Sequence, residues 1–179
     1  MDPWLMNELL MNEQIYERVI RDLLPSAQKF VWIATADIKD MHVEHRAGKF
    51  DTFLAVFADL VRAGVDIRLI HAKEPGPRFR EDFDRFPDLI ESDRFERFLC
   101  PRNHMKCILI DGRIAFIGSA NLTGAGMGAK SPNRRNFEAG ILTDDQETIG
   151  QLMEFFDTFH LGDFCKKCTR RKICPDPVA

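Results

Sequence analysis

The sequence predicts an α/β domain with a mixed, largely parallel central sheet flanked by helices. Short runs rich in apolar and β-branched residues recur along the chain, as they do in buried strands. An amphipathic helical pattern separates the first two runs. A strand–helix–strand order places two strands side by side in parallel, joined by a right-handed crossover. The chain has 179 residues, of which 45% are hydrophobic, and this length supports a substantial core.

The N-terminal segment, up to Leu24, has apolar residues at helical spacing and is predicted to form a helix that Pro25 ends. Acidic residues interrupt this segment, so it differs from a secretory signal. No stretch of the chain reaches the roughly 18 apolar residues of a membrane span. Five cysteines without a secretory signal are typical of a reducing compartment. We therefore expect a cytoplasmic protein with no stable membrane insertion.

The next segment contains the strand–helix–strand unit. Residues 30–38 predict a buried strand, which a polar loop follows. From Phe50 onward, apolar residues recur at i, i+3, i+4 and i+7, which predicts an amphipathic helix, and Gly64 has the expected C-cap position. Residues 65–72 predict the second strand. The charged, proline-containing residues 73–94 predict a long loop with one helical turn.

The second half of the chain is predicted to add a hairpin, a closing strand and a final helix. Asp111-Gly112, between two apolar runs, is a strong two-residue hairpin signal. Asp144 with Glu147 resembles the capping box that opens a helix. The predicted strands cover residues 95–100, 104–110, 113–118 and 136–143.

The composition changes abruptly near the C-terminus. Residues 163–179 contain three cysteines, five basic residues and two prolines, with little apolar material for a core. We therefore predict one domain over residues 1–162, followed by a cysteine-rich basic tail. Because the net charge of the chain is −3, any polyanion must meet a local basic patch such as this one.

The predicted hairpin combines groups suited to binding and attacking a phosphate. Side chains alternate along a strand, so His104 and Lys106 share a face at its start. Lysine supplies fixed positive charge, and histidine can act as nucleophile or proton carrier near neutral pH. The paired strand brings Ser119 and Asn121 to the same end, where a hydroxyl and an amide can donate to phosphoryl oxygens. Asp111 has the opposite strand parity, which predicts a structural role.

Six of these positions form a pattern that resembles the HKD motif of the phospholipase D superfamily, with every fixed residue present. The pattern is His104-x-Lys106-x4-Asp111-x6-Gly118-Ser119-x-Asn121. The later Asn136-Phe137-Glu138 is similar to the Asn-x-Glu that follows the motif in that superfamily. The resemblance covers the chain except its C-terminal tail. It implies the phospholipase D-like fold, with Asp111 and Gly118 as structural positions.

The resemblance also implies a mechanism. Members of this superfamily use two HKD motifs for each active site. One histidine attacks phosphorus and forms a covalent phosphohistidine, while the other protonates the leaving oxygen and then activates water. This chain holds one copy of the full pattern. Small single-motif members form homodimers in which two motifs meet across a two-fold axis, so we expect a homodimer with the active site at its interface.

Residue roles follow by carrying the motif onto this chain. The resemblance assigns His104 as nucleophile in one subunit and as general acid/base in the other. Lys106 and Asn121 are expected to hold phosphate oxygens, with Ser119 supporting them. Glu138 is expected to orient an imidazole. This chemistry needs no catalytic metal.

A second cluster is formed by cysteines. Cys165, Cys168 and Cys174 follow the spacing Cys-x2-Cys-x5-Cys, and Cys100 precedes the motif strand as a fourth candidate ligand. Four thiolates can hold Zn²⁺ or an iron–sulfur cluster. The spacing, though not the fold, is similar to the iron–sulfur site of RecB-type nucleases. This favours a structural 4Fe–4S cluster, with Zn²⁺ or an unliganded tail as the alternatives. Cys107, in an apolar run, is expected in the core.

Three functions remain open at this point. A nuclease is favoured, because basic residues at Arg134-Arg135 and at 166–172 suit phosphate contacts with DNA or RNA. A phospholipase or phosphatidyl transferase is the second alternative, because the N-terminal segment carries apolar residues that could lie on a bilayer. A non-catalytic nucleic-acid-binding module is the third.

Overall fold

The computed structural model describes residues 7–39, 41–45 and 48–178. Strands and helices alternate through much of this part of the chain. The strands are β1 (Asn7–Met11), β2 (Phe30–Thr35), β3 (His42–His45), β4 (Lys49–Thr52), β5 (Asp66–His71), β6 (Phe95–Leu99), β7 (Cys107–Ile110), β8 (Ile114–Gly118) and β9 (Ala139–Thr143). The helices are α1, which begins as Glu13–Ile15 and continues as a π-helix over Tyr16–Leu23, then α2 (Phe53–Arg62), α3 (Pro77–Phe83), α4 (Pro87–Glu91) and α5 (Gln146–His160).

A seven-stranded sheet forms the centre, in the order β1-β9-β8-β7-β2-β5-β6. Strand β2 pairs in parallel with β5, and β5 with β6, whereas the other four pairs are antiparallel. Five of the seven strands consequently run in one direction, and only β7 and β9 oppose them. The structure confirms the predicted fold class, including the parallel β2–α2–β5 unit. Strands β3 and β4 form a separate two-stranded sheet.

Apolar side chains pack on both faces of the central sheet. Helices α1 and α2 cover one face, where Phe53 and Phe57 are fully buried. Helix α5 covers the other face, and its Phe156 ring stacks on Trp32 of β2 with 5.2 Å between ring centroids. Burying one such side chain stabilises the fold by about 1.5–3 kcal/mol. No helix in the described part of the chain is long and apolar enough to cross a membrane.

The N-terminal prediction was wrong for its first half. Residues 7–11 form β1, and the helix begins only at Glu13; Leu5 lies outside the described residues. Strand β9 would otherwise expose an unpaired edge, and β1 satisfies those backbone groups by pairing with it. Leu10 is buried on one face of β1 while Leu9 is exposed on the other, which is the alternation of a strand. Pro25 lies in the 3₁₀ turn that ends the segment, as predicted.

Three smaller differences concern loops and helix starts. The predicted polar loop before α2 contains the β3–β4 hairpin, and Phe50 belongs to β4 rather than to the helix, which begins at Phe53. Residues 73–94 contain two short helices, α3 and α4, each with proline in its first turn. The N-cap of α5 is Asp145 rather than Asp144, and its carboxylate accepts from the backbone N–H of Thr148 at 2.8 Å.

The motif hairpin has the predicted turn but a shorter first strand. Asp111 and Gly112 have φ values of 56° and 65°, as a type I′ turn requires. Strand β7 begins at Cys107, so His104 and Lys106 precede the regular strand instead of opening it. The carboxylate of Asp111 accepts from the backbone N–H groups of residues 28–30 at 2.7–3.0 Å. This side chain therefore fixes the start of β2.

The C-terminal tail folds back on the end of β6. After α5 the chain turns at Gly162, with φ 77°, and residues 163–178 form two 3₁₀ turns. The backbone N–H of Leu99 donates to the carboxylate of Asp176 at 2.8 Å, and Arg170 donates to the carbonyl of Pro101 at 3.0 Å. The predicted boundary at residue 162 coincides with this turn, although the division into domain and tail stays a prediction.

Candidate active site

His104 and Lys106 form a pair at the open end of the motif hairpin. The ammonium nitrogen of Lys106 lies 3.0 Å from Nδ1 of His104 and 2.9 Å from its carbonyl oxygen. The carbonyl of Lys106 accepts from the N–H of Gly118 at 3.1 Å, which extends the β7–β8 pairing by one residue. His104 is exposed to solvent. A potential nucleophile and a fixed cation therefore lie side by side on an ordered backbone.

Ser119, Asn136 and Glu138 form a second group around one carboxylate. The hydroxyl of Ser119 donates to one oxygen of Glu138, and the amide of Asn136 donates to the other at 3.0 Å. The backbone N–H of Glu138 donates to the side chain of Asn12 at 3.1 Å. Glu138 therefore faces Ser119, while the imidazole of His104 faces Lys106. Within one chain, the predicted carboxylate–imidazole partners occupy separate groups.

Gly118 makes the approach of Ser119 to Glu138 possible. A Cβ atom at Gly118 would lie 2.7 Å from the carbonyl oxygen of Ala139, a distance that real side chains do not reach. The backbone N–H of Ser119 donates to that same carbonyl at 3.0 Å. The glycine of the motif thus lets β8 and β9 run close together where the polar side chains meet.

Asn121 connects the motif to the end of β2 and lines a cleft. Its side-chain oxygen accepts from the backbone N–H groups of Ala36 and Asp37, both at 3.1 Å. The cleft has a volume of about 830 Å³. Its charged and amide lining consists of Asp37, Lys39, Glu74, Arg78, Asn121, Lys130 and Asn136.

Asn103 is a positioning residue to which the sequence assigned no role. Its side chain is 3% exposed, and its amide nitrogen donates to the carbonyls of Thr35 at 2.9 Å and Ile70 at 3.1 Å. Its side-chain oxygen accepts from the N–H of Met105 at 3.0 Å. These bonds fix the segment that carries His104 to the carboxyl ends of β2 and β5. The only signal in the sequence was an amide directly before the motif histidine.

Comparison with known proteins agrees with this geometry. Residues 20–160 match the family described as cardiolipin synthase, PLD-like domain. The chain belongs to the phospholipase D superfamily. Cardiolipin synthase 2 from Bacillus anthracis and from Bacillus cereus are 27% and 28% identical to it over 166 residues. These matches cover 84% of this chain but only 28% of either relative, so the chain spans less than a third of their length.

Solved structures with the same fold include small members of the superfamily. NucT from Helicobacter pylori superposes with a TM-score of 0.61 and 19% identity, covering 85% of this chain and 93% of its own. Nuc from Salmonella typhimurium, a phospholipase D family member, has a TM-score of 0.57 and 12% identity, with 84% and 92% covered. TrmBL2, an archaeal chromatin protein, has a TM-score of 0.59 and 14% identity, with 89% and 53% covered. At these identities the likeness is one of fold.

The two arginines predicted to bind substrate have different surroundings in this phospholipase D superfamily member. Arg135 forms an ion pair with Glu13 at 3.0 Å, and its side chain is 18% exposed. Arg134 is exposed on the glycine-rich loop. The charge of Arg135 is thus partly neutralised by α1, whereas Arg134 faces solvent.

The His-x-Lys spacing occurs a second time, at His71 and Lys73, but there the structure shows a core histidine. His71 is fully buried. Its Nδ1 donates to the carbonyl of Lys73 at 2.7 Å, and its Nε2 accepts from Arg97 at 3.0 Å. Burial lowers the pKa of His71, and the positive charge of Arg97 lowers it further against the opposing effect of the Lys73 carbonyl. His71 is therefore not a second catalytic histidine.

The cysteines converge at the base of the tail. Cys100, Cys165, Cys168 and Cys174 line one small cavity, and all are free thiols. Among the described residues, however, no group of three or more His, Cys, Asp or Glu side chains is arranged to hold a metal ion. The four thiols therefore lie close together but are not arranged as ligands of a metal ion. Cys107 is buried in the sheet, and burial raises the pKa of its thiol to about 12.

Two of the cavity thiols differ in their surroundings. The guanidinium of Arg102 donates to Sγ of Cys168 at 3.6 Å, and this contact lowers the pKa of that thiol. Burial raises the pKa of Cys100, against an opposing effect of the backbone N–H groups of Arg102 and Asn103. Cys168 is consequently the thiol with the greater thiolate character.

Proposed function

We propose that the protein is a phosphodiesterase that acts as a nuclease and forms a covalent phosphohistidine at a homodimer interface. The observation that carries the proposal is the meeting of the polar motif side chains at the open end of the hairpin, with His104 against Lys106 and Glu138 held by Ser119. The match of residues 20–160 to a phospholipase D-like family supports it.

The reaction proceeds in two steps. A ring nitrogen of His104 attacks phosphorus, the bond from phosphorus to the leaving oxygen breaks, and that oxygen takes a proton from His104 of a second copy. Water then attacks phosphorus, gives a proton back to the second imidazole and breaks the phosphorus–nitrogen bond. The ammonium of Lys106 and the amide of Asn121 stabilise the charge on the phosphoryl oxygens. Since Lys106 supplies the cation, no catalytic metal is assigned a role.

An exposed apolar row supports dimerisation beside this site. Leu9, Ile141 and Ile117 are directly paired across β1, β9 and β8, so their side chains share one face of the sheet. They are 58%, 37% and 37% exposed, and the row leads to Ser119 two residues beyond Ile117. Phe137, between Asn136 and Glu138, is 96% exposed. A second copy covering this row would bring a second His104 to the carboxylate group.

Nucleic acid is the substrate class that the charge distribution favours. Lys39, Arg78 and Lys130 outnumber the carboxylates of Asp37 and Glu74 in the cleft that Asn121 also lines, although Lys39 is paired with Asp37 at 3.2 Å. Arg134 is exposed nearby in sequence. Five of the seven residues 166–172 are basic. Such residues contact phosphates without reading sequence, so binding should weaken steeply with salt. TrmBL2, which shares the fold, is described as binding DNA.

A lipid substrate is the second candidate. The family that matches residues 20–160 is named for cardiolipin synthase, as are both Bacillus relatives. This alternative predicts turnover of phosphatidylglycerol in vesicles. A non-catalytic nucleic-acid-binding module is the third, and it predicts salt-dependent binding without turnover.

A cleavage assay in EDTA separates these candidates. Labelled single- and double-stranded DNA and RNA, and phosphatidylglycerol vesicles, are incubated with the wild type and with His104→Ala. Oligonucleotide cleavage that survives EDTA and is absent from the variant supports the nuclease. Vesicle turnover alone supports the lipid enzyme, and binding without any turnover supports the module.

We also propose that Cys100, Cys165, Cys168 and Cys174 hold a structural metal, an iron–sulfur cluster with Zn²⁺ as the alternative. The support is the convergence of two separate chain segments, residues 100–102 and the tail, on one cavity. No such group is arranged to hold an ion among the described residues, so the proposal requires these thiols to move when the metal binds. The metal would attach the tail to the segment before His104.

A further inference from the structure

A pocket with aromatic walls opens directly beside His104. Its volume is about 340 Å³, which is in the range of small-ligand sites. One wall is the segment that carries His104, and the other is built by α5 and the tail. The lining residues are Cys100, Arg102, Asn103, His104, Met105, Phe155, Phe159, Phe164, Cys165 and Cys168.

Three phenylalanines give this wall its character. The ring centroids of Phe155 and Phe164 are 5.5 Å apart, and Phe159 lies 6.4 Å from the first and 6.2 Å from the second. Phe155 is 47% exposed and Phe164 is 42% exposed, so their faces are available to a ligand. Exposed aromatic rings in a concave site are typical of a binding surface.

The surroundings of the rings are cationic. Arg102 is exposed and lines the pocket, and the exposed Lys166 and Lys167 directly follow the lining residue Cys165, with Lys166 in a surface ion pair with Asp163 at 2.9 Å. Aromatic rings next to a basic surface are the combination with which proteins bind single-stranded nucleic acid, because bases stack on the rings and phosphates meet the cations. A long acyl chain would gain nothing from the guanidinium of Arg102 at its side.

We propose that this pocket binds the nucleobase adjacent to the scissile phosphate, and that the substrate is therefore single-stranded or locally unpaired nucleic acid. The proposal rests on the phosphodiesterase function proposed above and specifies its substrate. His104 lines the pocket, so a base seated on the rings places its neighbouring phosphate at the nucleophile. A base within a duplex is stacked and paired, and it would have to leave the helix to enter.

The test pairs variants of the protein with variants of the oligonucleotide. Phe155→Leu and Phe164→Leu keep apolar volume but remove the ring faces, and Phe50→Leu is the matched control, because Phe50 is 68% exposed on β4 and does not line the pocket. The ligands are a single strand with one cleavable phosphate and the same strand lacking the base next to it. Affinity is measured in the His104→Ala background, and cleavage in the otherwise wild-type protein.

The proposal predicts that the effects of removing the base and of removing the rings are not additive. Removing the base, or both rings, should weaken binding by about tenfold, and removing both together should cost little more than either alone. Phe50→Leu should bind like the parent. A duplex of the same sequence should be cleaved more slowly than the single strand.

Three results would refute the proposed base-binding role of the pocket and leave the proposed phosphodiesterase function intact. The first is equal binding of the intact and the abasic strand by all variants. The second is additive losses from rings and base. The third is slower vesicle turnover in the ring variants with unchanged oligonucleotide cleavage, which would assign the pocket to an acyl chain. By contrast, if the wild type hydrolyses neither the intact nor the abasic strand, the proposed function itself fails.

Discussion

The motif hairpin and the cysteine tail meet at one pocket, but they are held in opposite ways. The segment carrying His104 is fixed by Asn103, which is 3% exposed and bonded to the ends of two strands. None of residues 163–178 is buried. They are attached by a few polar contacts, such as that between the Asp176 carboxylate and the backbone N–H of Leu99. A segment without a core cannot offset its ordering entropy by apolar burial, and it depends on anchors or a ligand.

The largest expected effect is at His104, the proposed nucleophile of the motif hairpin. His104→Ala should lower phosphodiester turnover by at least about a thousandfold, because the nucleophile is lost. The thermal midpoint should stay close to that of the wild type, since His104 is exposed. Substantial activity in a correctly folded His104→Ala protein would show that another group attacks phosphorus.

The next effect tests how the same segment is positioned. Asn103→Ala should destabilise the protein by about 3 kcal/mol, because the carbonyls of Thr35 and Ile70 and the N–H of Met105 lose their partner in a buried place. For a chain of this size that lowers the thermal midpoint by about 6–12 °C. Asn133→Ala, at an exposed position, is the control and should melt like the wild type. Equal midpoints for both variants would show that Asn103 does not hold the segment.

The third prediction tests whether a metal bound by the four cysteines holds the tail in place. Anaerobically purified protein should contain iron and sulfide, or zinc, and Cys165→Ser with Cys174→Ser should lose it. Chelation should then make the tail sensitive to trypsin at its basic residues 166–172, while residues in the sheet stay protected. Cys107→Ser is the control, since this thiol is buried apart from the cavity. The metal site would be refuted if the wild type contained no metal, or if the doubly substituted protein bound as much metal as the wild type.

The junction of the two regions should show a pH dependence through His71. Burial lowers its folded-state pKa below the ordinary value of 6.5, so the unfolded state binds more protons in the window between the two values. The stability contributed by neutral His71 is fully present above pH 6.5 and is lost as the pH falls through the folded-state pKa. The slope from this one group is at most about 1.4 kcal/mol per pH unit. Denaturant unfolding of the wild type and His71→Gln measures it, and identical pH profiles would contradict the assignment.

The smallest effect is a difference between thiols. In metal-free protein, alkylation should reach Cys168 at the lowest pH, because Arg102 lowers its pKa, and Arg102→Gln should remove that advantage. Cys107, with a pKa of about 12, should react only after unfolding. Mass spectrometry of the labelled peptides gives the order. Early labelling of Cys107 in the folded protein would contradict its buried position.

Much of this arrangement could be predicted from the sequence. Short apolar runs rich in β-branched residues identified β2 and β5, and a period of 3.6 identified α2, because these elements are largely buried in the same core. The Asp111-Gly112 turn was equally clear, since few residues tolerate positive φ at both positions. Strand β1 was missed because its short apolar pattern also fits a helix. Only the unpaired edge of β9, which is remote in sequence, decides between the two.

The sequence by itself determined the chemistry of this protein: the motif residues, their spacing, the basic tail and the membership of the phospholipase D superfamily. The tertiary structure decided which of these groups meet. It paired Glu138 with Ser119 and Asn136 and His104 with Lys106, bonded Asn103 to the ends of two strands, and placed Phe155 and Phe164 in the pocket that His104 lines. The physical reason is that residue types fix what a side chain can do, whereas contacts between segments far apart in the chain depend on how the sheet and helices pack.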